Sequence, residues 1–201
     1  MSDTVDHDGL YRLAESQAGY FTASQALAAG MDRSTLGYHA RPGGRYERVR
    51  RGLFRLRHFP SSPHEHVVAA WLSLRGTPAV VSHESALELY GLSDVIPSAV
   101  HISLPRAKRG QRPRPGVRFH TFEQPPGPSE IRPLMGMPVT SPERTIVDSL
   151  QAGTQPEQIE LALHQALDRG LTTPKRLRAA LAGRPARVSG LIEHAITTAK
   201  A

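Results

Sequence analysis

Eight arginines fall between Arg33 and Arg57, against a single acid, Glu47, so this stretch carries +7. Arginine presents a planar fork of N–H donors that matches phosphate oxygens two at a time. The whole chain has 25 cationic and 18 acidic side chains and also nets +7, so the rest sums to zero. Arginine outnumbers lysine 22 to 3, which makes arginine abundance weak evidence and its placement the strong evidence. A basic excess confined to one segment is the footprint expected for a phosphate backbone. A second run, with Arg106, Lys108, Arg109, Arg112 and Arg114 and no acid, lies in a Pro/Gly-rich stretch. It reads as a mobile hairpin loop. It is a second phosphate contact, a partner-binding loop, or a solvated loop.

Other chemistries find little support. There is no cysteine, which removes disulfides, thiol catalysis and thiolate metal sites. His64 and His66 are two apart and face different directions, and no HExxH spacing exists, so these and His83-Glu84 read as ordinary surface residues. The lysines Lys108, Lys175 and Lys200 do not follow a carboxylate at nuclease-motif spacing, and no GxSxG elbow is present. The expectation is a non-enzyme with no catalytic residue, metal or cofactor. No apolar run approaches the roughly 20 residues of a membrane span. The N-terminal MSDTVDHDG is too polar for a signal peptide, and a cytoplasmic protein is expected.

The elements that must carry the first arginine cluster are short. Asp8 to Gln17 has Leu10, Leu13 and Ala14 at helical spacing, a first helix expected to pack on Leu27 and Leu36. Thr22 with Gln25 forms a capping box for a helix to about Ala29, stopped by Gly30. Asp32 caps a second helix from Arg33 to about Ala40. On it Leu36 and Ala40 face inward, while Ser34, Tyr38 and Arg41 project outward with Arg33 and Thr35 on the flanks. Tyr38 reads equally as a groove contact or a core residue, and His39 as structural. Gly37 lets the helix approach a groove closely. Tyr46–Val49 and Leu53–Leu56 read as strands joined through Arg50-Arg51-Gly52. Helix, turn, helix and arginine-tipped hairpin make a winged helix-turn-helix, a DNA-reading shape. The candidate DNA contacts are Arg33, Ser34, Thr35, Tyr38, Arg41, Arg48, Arg50, Arg51 and Arg55.

Phe59 to Pro63 is a linker, which divides the chain into residues 1–58 and 62–201. Ser62, Pro63 and Glu65 open a helix expected to run to Arg75. Ala79–Val81 is a short strand, and Ser82 caps a helix to Tyr90. Ala99–Leu104 and Val117–Phe122 alternate as strands, with a further strand region from Ile131 to Val139. Ser141-Pro142 opens a helix to about Leu150, and Thr154 caps the next, to Gly170. Thr173-Pro174 starts another, and a final helix covers Val188 to Ala199. The fold class is α+β: a winged helix-turn-helix, then an α/β domain with a helical C-terminal end.

The chain resembles the AbiEi-type antitoxins, the antitoxin half of type IV toxin–antitoxin systems. The matching residues are Gly19-Tyr20-Phe21, the helix Thr22 to Ala29, Arg33-Ser34-Thr35-Leu36, and Arg48 to Phe54. Ser82 to Ala86 and Met137 to Thr145 resemble that family's α/β region. The resemblance covers most of the chain to about Leu150. It implies a transcriptional autorepressor that binds promoter inverted repeats; a helix-turn-helix this small contacts few base pairs, so two copies are expected on the DNA, dimerised beforehand or only there. It also implies an antitoxin whose C-terminal part counteracts a nucleotidyltransferase toxin. Two other classes compete: a nuclease targeted by the winged helix, and a protein-interaction module with an incidental basic patch. Metal-dependent cleavage of plasmid DNA separates the nuclease from the rest.

Overall fold

The computed structural model describes residues 5–74, 76–122 and 125–198. Local hydrogen bonding sets where the first helices begin. Helix α1 spans His7–Ser16, with the Asp6 carboxylate accepting from the Gly9 amide. A three-residue strand, β1, Tyr20–Thr22, follows and was not expected. Thr22 ends β1 and caps α2, Ala23–Ala28; its hydroxyl accepts from the Gln25 amide, and its own amide donates to Gln25 Oε1 at 2.7 Å. Helix α3 is Arg33–His39, capped by Asp32, whose Oδ1 accepts from the Thr35 amide at 2.6 Å. Strands β2, Tyr46–Arg50, and β3, Leu53–Leu56, form the wing, and Gly52 takes φ +78° at its turn. The sheet order is β1-β3-β2, with antiparallel neighbours and a register shift between Arg48 and Arg50.

Leu10, Ala14, Phe21, Ala26, Met31, Leu36, Tyr46 and Phe54 form this unit's core, with Phe21 edge-on to Tyr46 and stacked on Phe54. Leu13 and Leu27, expected inside, lie on the surface at 37% and 40% exposure. Leu10 and Ala14, one turn apart, already fill the inward face of α1, and the short α2 turns Ala26 rather than Leu27 to the core. Helix α4 is Glu65–Leu72, preceded by His64 without a side-chain cap. Pro63 is thus not its first residue, and the helix ends before the expected Arg75, which lies outside the described residues. Because α4 packs on β1, the first compact unit extends to Thr77 and includes Met135–Met137. The boundary read between residues 58 and 62 therefore falls inside it.

The second unit holds a mixed sheet of β4 (Val80–Val81), β5 (Val100–Pro105), β6 (Val117–Phe122), β7 (Ile131–Leu134) and β8 (Met137–Thr140), in the order β6-β5-β4-β8-β7. Pro133 sits in β7, an edge strand, where a missing N–H is tolerated. Strands β5 and β6 are parallel, Val100 opposite Val117 through Pro105 opposite Phe122. Arg106–Pro115 is consequently not a hairpin loop: it returns the chain to the start of β5, opening with a 3₁₀ turn at Arg106–Lys108. Helices α5 (His83–Tyr90), α6 (Pro142–Ala152), α7 (Pro156–Asp168), α8 (Pro174–Ala180) and α9 (Ala186–Thr198) complete the unit. The expected end of α9 at Ala199 lies outside the described residues.

Helix α6 is central: α5, α7, α8 and α9 all pack on it. Its buried Glu143 accepts from Arg176 at 2.6 Å and Thr172 at 3.1 Å. Two expected caps have other work. The Ser82 hydroxyl bonds Ser103 and His83, and the Thr154 hydroxyl donates to Glu84. His83, read as a surface residue, is buried at 7% exposure. The architecture is α+β with a helical C-terminal end.

Candidate nucleic-acid interface

Every candidate contact of the wing and α3 belongs to the first unit, and the structure sorts them by what each side chain touches. Arg33 on α3, Arg48 on β2 and Arg51 at the wing turn are exposed. The three line one concave surface of about 910 Å³, with Thr22 to Gln25, Leu36, Gly37, Gly52 and Phe54 beside them. A Cβ added at Gly37 would meet no atom within 4 Å, so nothing crowds the outer side of α3 there. The Arg48 guanidinium lies 5.6 Å from the Phe54 ring centroid, which holds a flexible side chain against the sheet without neutralising it. Tyr38 is 57% exposed, with the Arg41 guanidinium 3.8 Å from its ring centroid. That placement selects the surface reading of Tyr38 over the core one.

Ser34 and Thr35 serve the helix itself. Ser34 donates to Asp32 at 2.9 Å, and the half-buried Thr35 donates its amide to the same oxygen. The Thr35 amide and then the Ser34 hydroxyl hold the Asp32 carboxyl below the usual carboxylate range. His39 packs among the rings of His7, Tyr38 and Tyr46, and burial, then Arg45, keeps its imidazole below the ordinary histidine range.

Three arginines of the cluster are turned to structure. Arg50 is exposed, and its Nη2 donates to the Ala69 carbonyl of α4 at 2.6 Å. Arg55 donates to Glu65 and to the Pro60 carbonyl, each at 3.1 Å, and lies 5.5 Å from the Tyr20 ring centroid. Its side chain is only 12% exposed. Arg57 donates Nε to the Gly44 carbonyl at 2.6 Å and Nη2 to the carbonyls of Arg41 and Tyr46. Arg55, taken from the sequence as a contact, thus belongs to the packing between wing and α4. Arg45, just before β2, is also exposed, but it lines a separate concavity with His7, Tyr11, Tyr46 and His58.

In the second unit Arg106, Lys108, Arg109 and Arg112 are exposed and Arg114 is half-buried. They form a basic segment between two parallel strands.

An N-terminal winged helix-turn-helix with an outward arginine surface, joined to an α+β unit, defines a class of regulator with an appended domain. Residues 10–57 match the family described as transcriptional regulator, AbiEi antitoxin, and residues 79–194 match the AbiEi antitoxin C-terminal domain. The chain belongs to the AbiEi antitoxin family. The fold is similar to that of the RV2827C protein from Mycobacterium tuberculosis: TM-score 0.55, 19% identity, covering 95% of this chain and 75% of that one. No curated protein matches the chain. Among the described residues no helix is long and apolar enough to cross a membrane.

Proposed function

We propose that the chain is a transcriptional autorepressor and antitoxin that acts in the cytoplasm, and that its two units divide these tasks. The winged helix binds double-stranded DNA at inverted repeats in its own promoter. The second unit counteracts a nucleotidyltransferase toxin. The observation that carries the first task is the concave surface on which Arg33, Arg48 and Arg51 converge from α3 and the wing. Cations fixed on two elements at once suit two strands of a phosphate backbone, with α3 between them in the major groove. Arg41 and Tyr38, stacked on one another and exposed, add to the polar surface of α3 and its C-terminal end.

A helix of seven residues reaches only a few base pairs, too few for a unique genomic site. Two copies on two-fold-related half-sites supply the missing specificity, whether they dimerise beforehand or on DNA. Footprinting of the region upstream of the gene tests this. Two protected half-sites in inverted orientation are expected; a single unrepeated half-site counts against the reading. The basic segment Arg106 to Arg114 supplies either a further phosphate contact or a surface for an acidic face of the toxin, and binding with and without the toxin separates the two.

A further inference from the structure

Strand pairing in the second unit brings three histidines together that the sequence keeps far apart. The parallel register sets Ser103 of β5 opposite His120 of β6, and His101 lies two residues before Ser103, on the same face of β5. His83, the first residue of α5, stacks on His120 with ring centroids 3.6 Å apart and planes 14° from parallel. His120 Nε2 is 3.2 Å from His101 Nδ1, and His101 Nε2 is 3.7 Å from Glu84 Oε2. On the other side, His83 Nδ1 bonds the Ser82 hydroxyl, and Ser82 bonds Ser103, both at 2.8 Å. His83 holds φ +54°, the left-handed region that a buried non-glycine residue enters at a cost of about 1–3 kcal/mol. Such strain persists only where the surroundings impose it, and here it aims an imidazole at a cavity.

That cavity measures about 850 Å³ and lies wholly within the second unit. His83, Ser103 and His120 line one side; Arg144, Asp148 and Arg184 line another. The two guanidiniums are fixed in place. Arg144 donates to Asp148 Oδ2 at 2.6 Å and to Glu130 at 2.8 Å. Arg184 donates to Asp148 Oδ1 at 2.6 Å and to Gln151 at 2.7 Å. Asp148 is thereby gripped by one arginine on each oxygen. Among the described residues Arg144 Nη2 and Arg184 Nε have no hydrogen-bond partner, so each guanidinium keeps donors to spare. A volume of this size with a few convergent polar groups is the form of a small-molecule site.

The two arginines and the carboxylates of Asp148 and Glu130 cancel in formal charge. Burial, the neighbouring histidines and then Arg144 and Arg184 hold the His83 imidazole down to about 2. Burial, then His101 and Arg118, hold His120 down to about 4. Burial is the largest cause of both shifts, and the positive charge of Arg144 and Arg184 adds to it at His83.

We propose that this cavity binds a small oxyanion-bearing molecule, its carboxylate or phosphate group held by the spare donors of Arg144 and Arg184 and facing the imidazole of His120. The site lies away from the arginine surface of the winged helix in sequence and in fold unit, so its ligand addresses the antitoxin unit directly.

Inorganic phosphate and succinate, titrated separately into the intact chain labelled with ¹⁵N-histidine, distinguish the two ligand chemistries. Saturable shifts of the His83 and His120 imidazole resonances with either probe support the site, and the probe that acts identifies the anion. Arg184→Gln should then weaken binding roughly tenfold or more, while Arg12→Ala on α1 of the first unit leaves it unchanged. No saturable shift with either probe up to about 10 mM would overturn the proposal, and so would full binding by Arg184→Gln. In that case the arginine–carboxylate network is purely a packing device. The wild-type titration decides the matter even if a variant fails to fold.

Discussion

One residue type does several physically different jobs within twenty-five positions. Arg57 turns Nε and Nη2 to main-chain carbonyls, and Arg55 is clamped between Glu65, a carbonyl and a ring. Arg33, Arg48 and Arg51 are exposed to solvent. Only an outward charge can release a counterion when it meets a phosphate. Arg48→Ala with Arg51→Ala should therefore weaken binding to operator and random DNA alike, and reduce the slope of log affinity against log salt by about 2. A gel-shift series in salt measures this; an unchanged slope removes the wing from the interface. Arg55→Met should behave oppositely. It leaves Glu65 partly buried without its cation and should lower stability by about 1–3 kcal/mol. The salt slope of the folded fraction stays as it was, and denaturant melts beside the same gel shifts separate the effects. From the sequence these side chains are indistinguishable, because charge is legible in a string of letters and the direction of a guanidinium is not.

At the scale of elements, what could be read depended on how local its cause was. The Thr22–Gln25 capping box, the Asp32 cap and the left-handed turn at Gly52 are settled within four residues, and all three stand in the structure. Strand β1 was missed because three residues, ending in a helix cap, carry no period; only pairing with β3 makes Tyr20–Thr22 a strand. The pair β5 and β6 was misread as a hairpin because alternation reports a strand and not its direction. The histidine cluster was invisible for the same reason, since it exists only when that register is known.

It should also be visible in a pH profile. In the folded chain His83 and His120 stay neutral down to about 2 and about 4, whereas unfolded histidine titrates near 6.5. Below 6.5 the unfolded state therefore binds protons that the folded state refuses, and stability must fall with pH. The loss approaches about 1.4 kcal/mol per pH unit for the buried His83, and less for the more exposed His120. Thermal midpoints measured from pH 7 to pH 4 should decline, and His120→Gln should make the decline shallower. A flat profile in that window would contradict the buried, neutral stack.

At the scale of the whole chain, charge is concentrated in one segment and not divided between the units. The +7 of Arg33–Arg57 lies within the first unit, whose other residues are net acidic, so residues 1–77 net +3 and residues 78–201 net +4. Promoter binding needs cations opposite phosphates. Counteracting a toxin needs a folded surface, which the second unit supplies around α6 with its own sheet and buried residues. The linker at Phe59–Pro63 suggests a cut near Ser62, but α4 packs on β1, so the main boundary falls at Pro78, with only Met135–Met137 of the first unit beyond it. A fragment from Pro78 to the C-terminus should rescue cells from the cognate toxin on co-expression, without repressing the promoter. Full-length protein with Arg48 and Arg51 replaced by alanine should do the same, and this second arm does not depend on the fragment folding alone. If the second unit only supports the winged helix, the pattern inverts. Rescue by residues 1–77, with none from the fragment or from the full-length variant, would then be seen, and the assignment of the antitoxin task would have to move to the first unit.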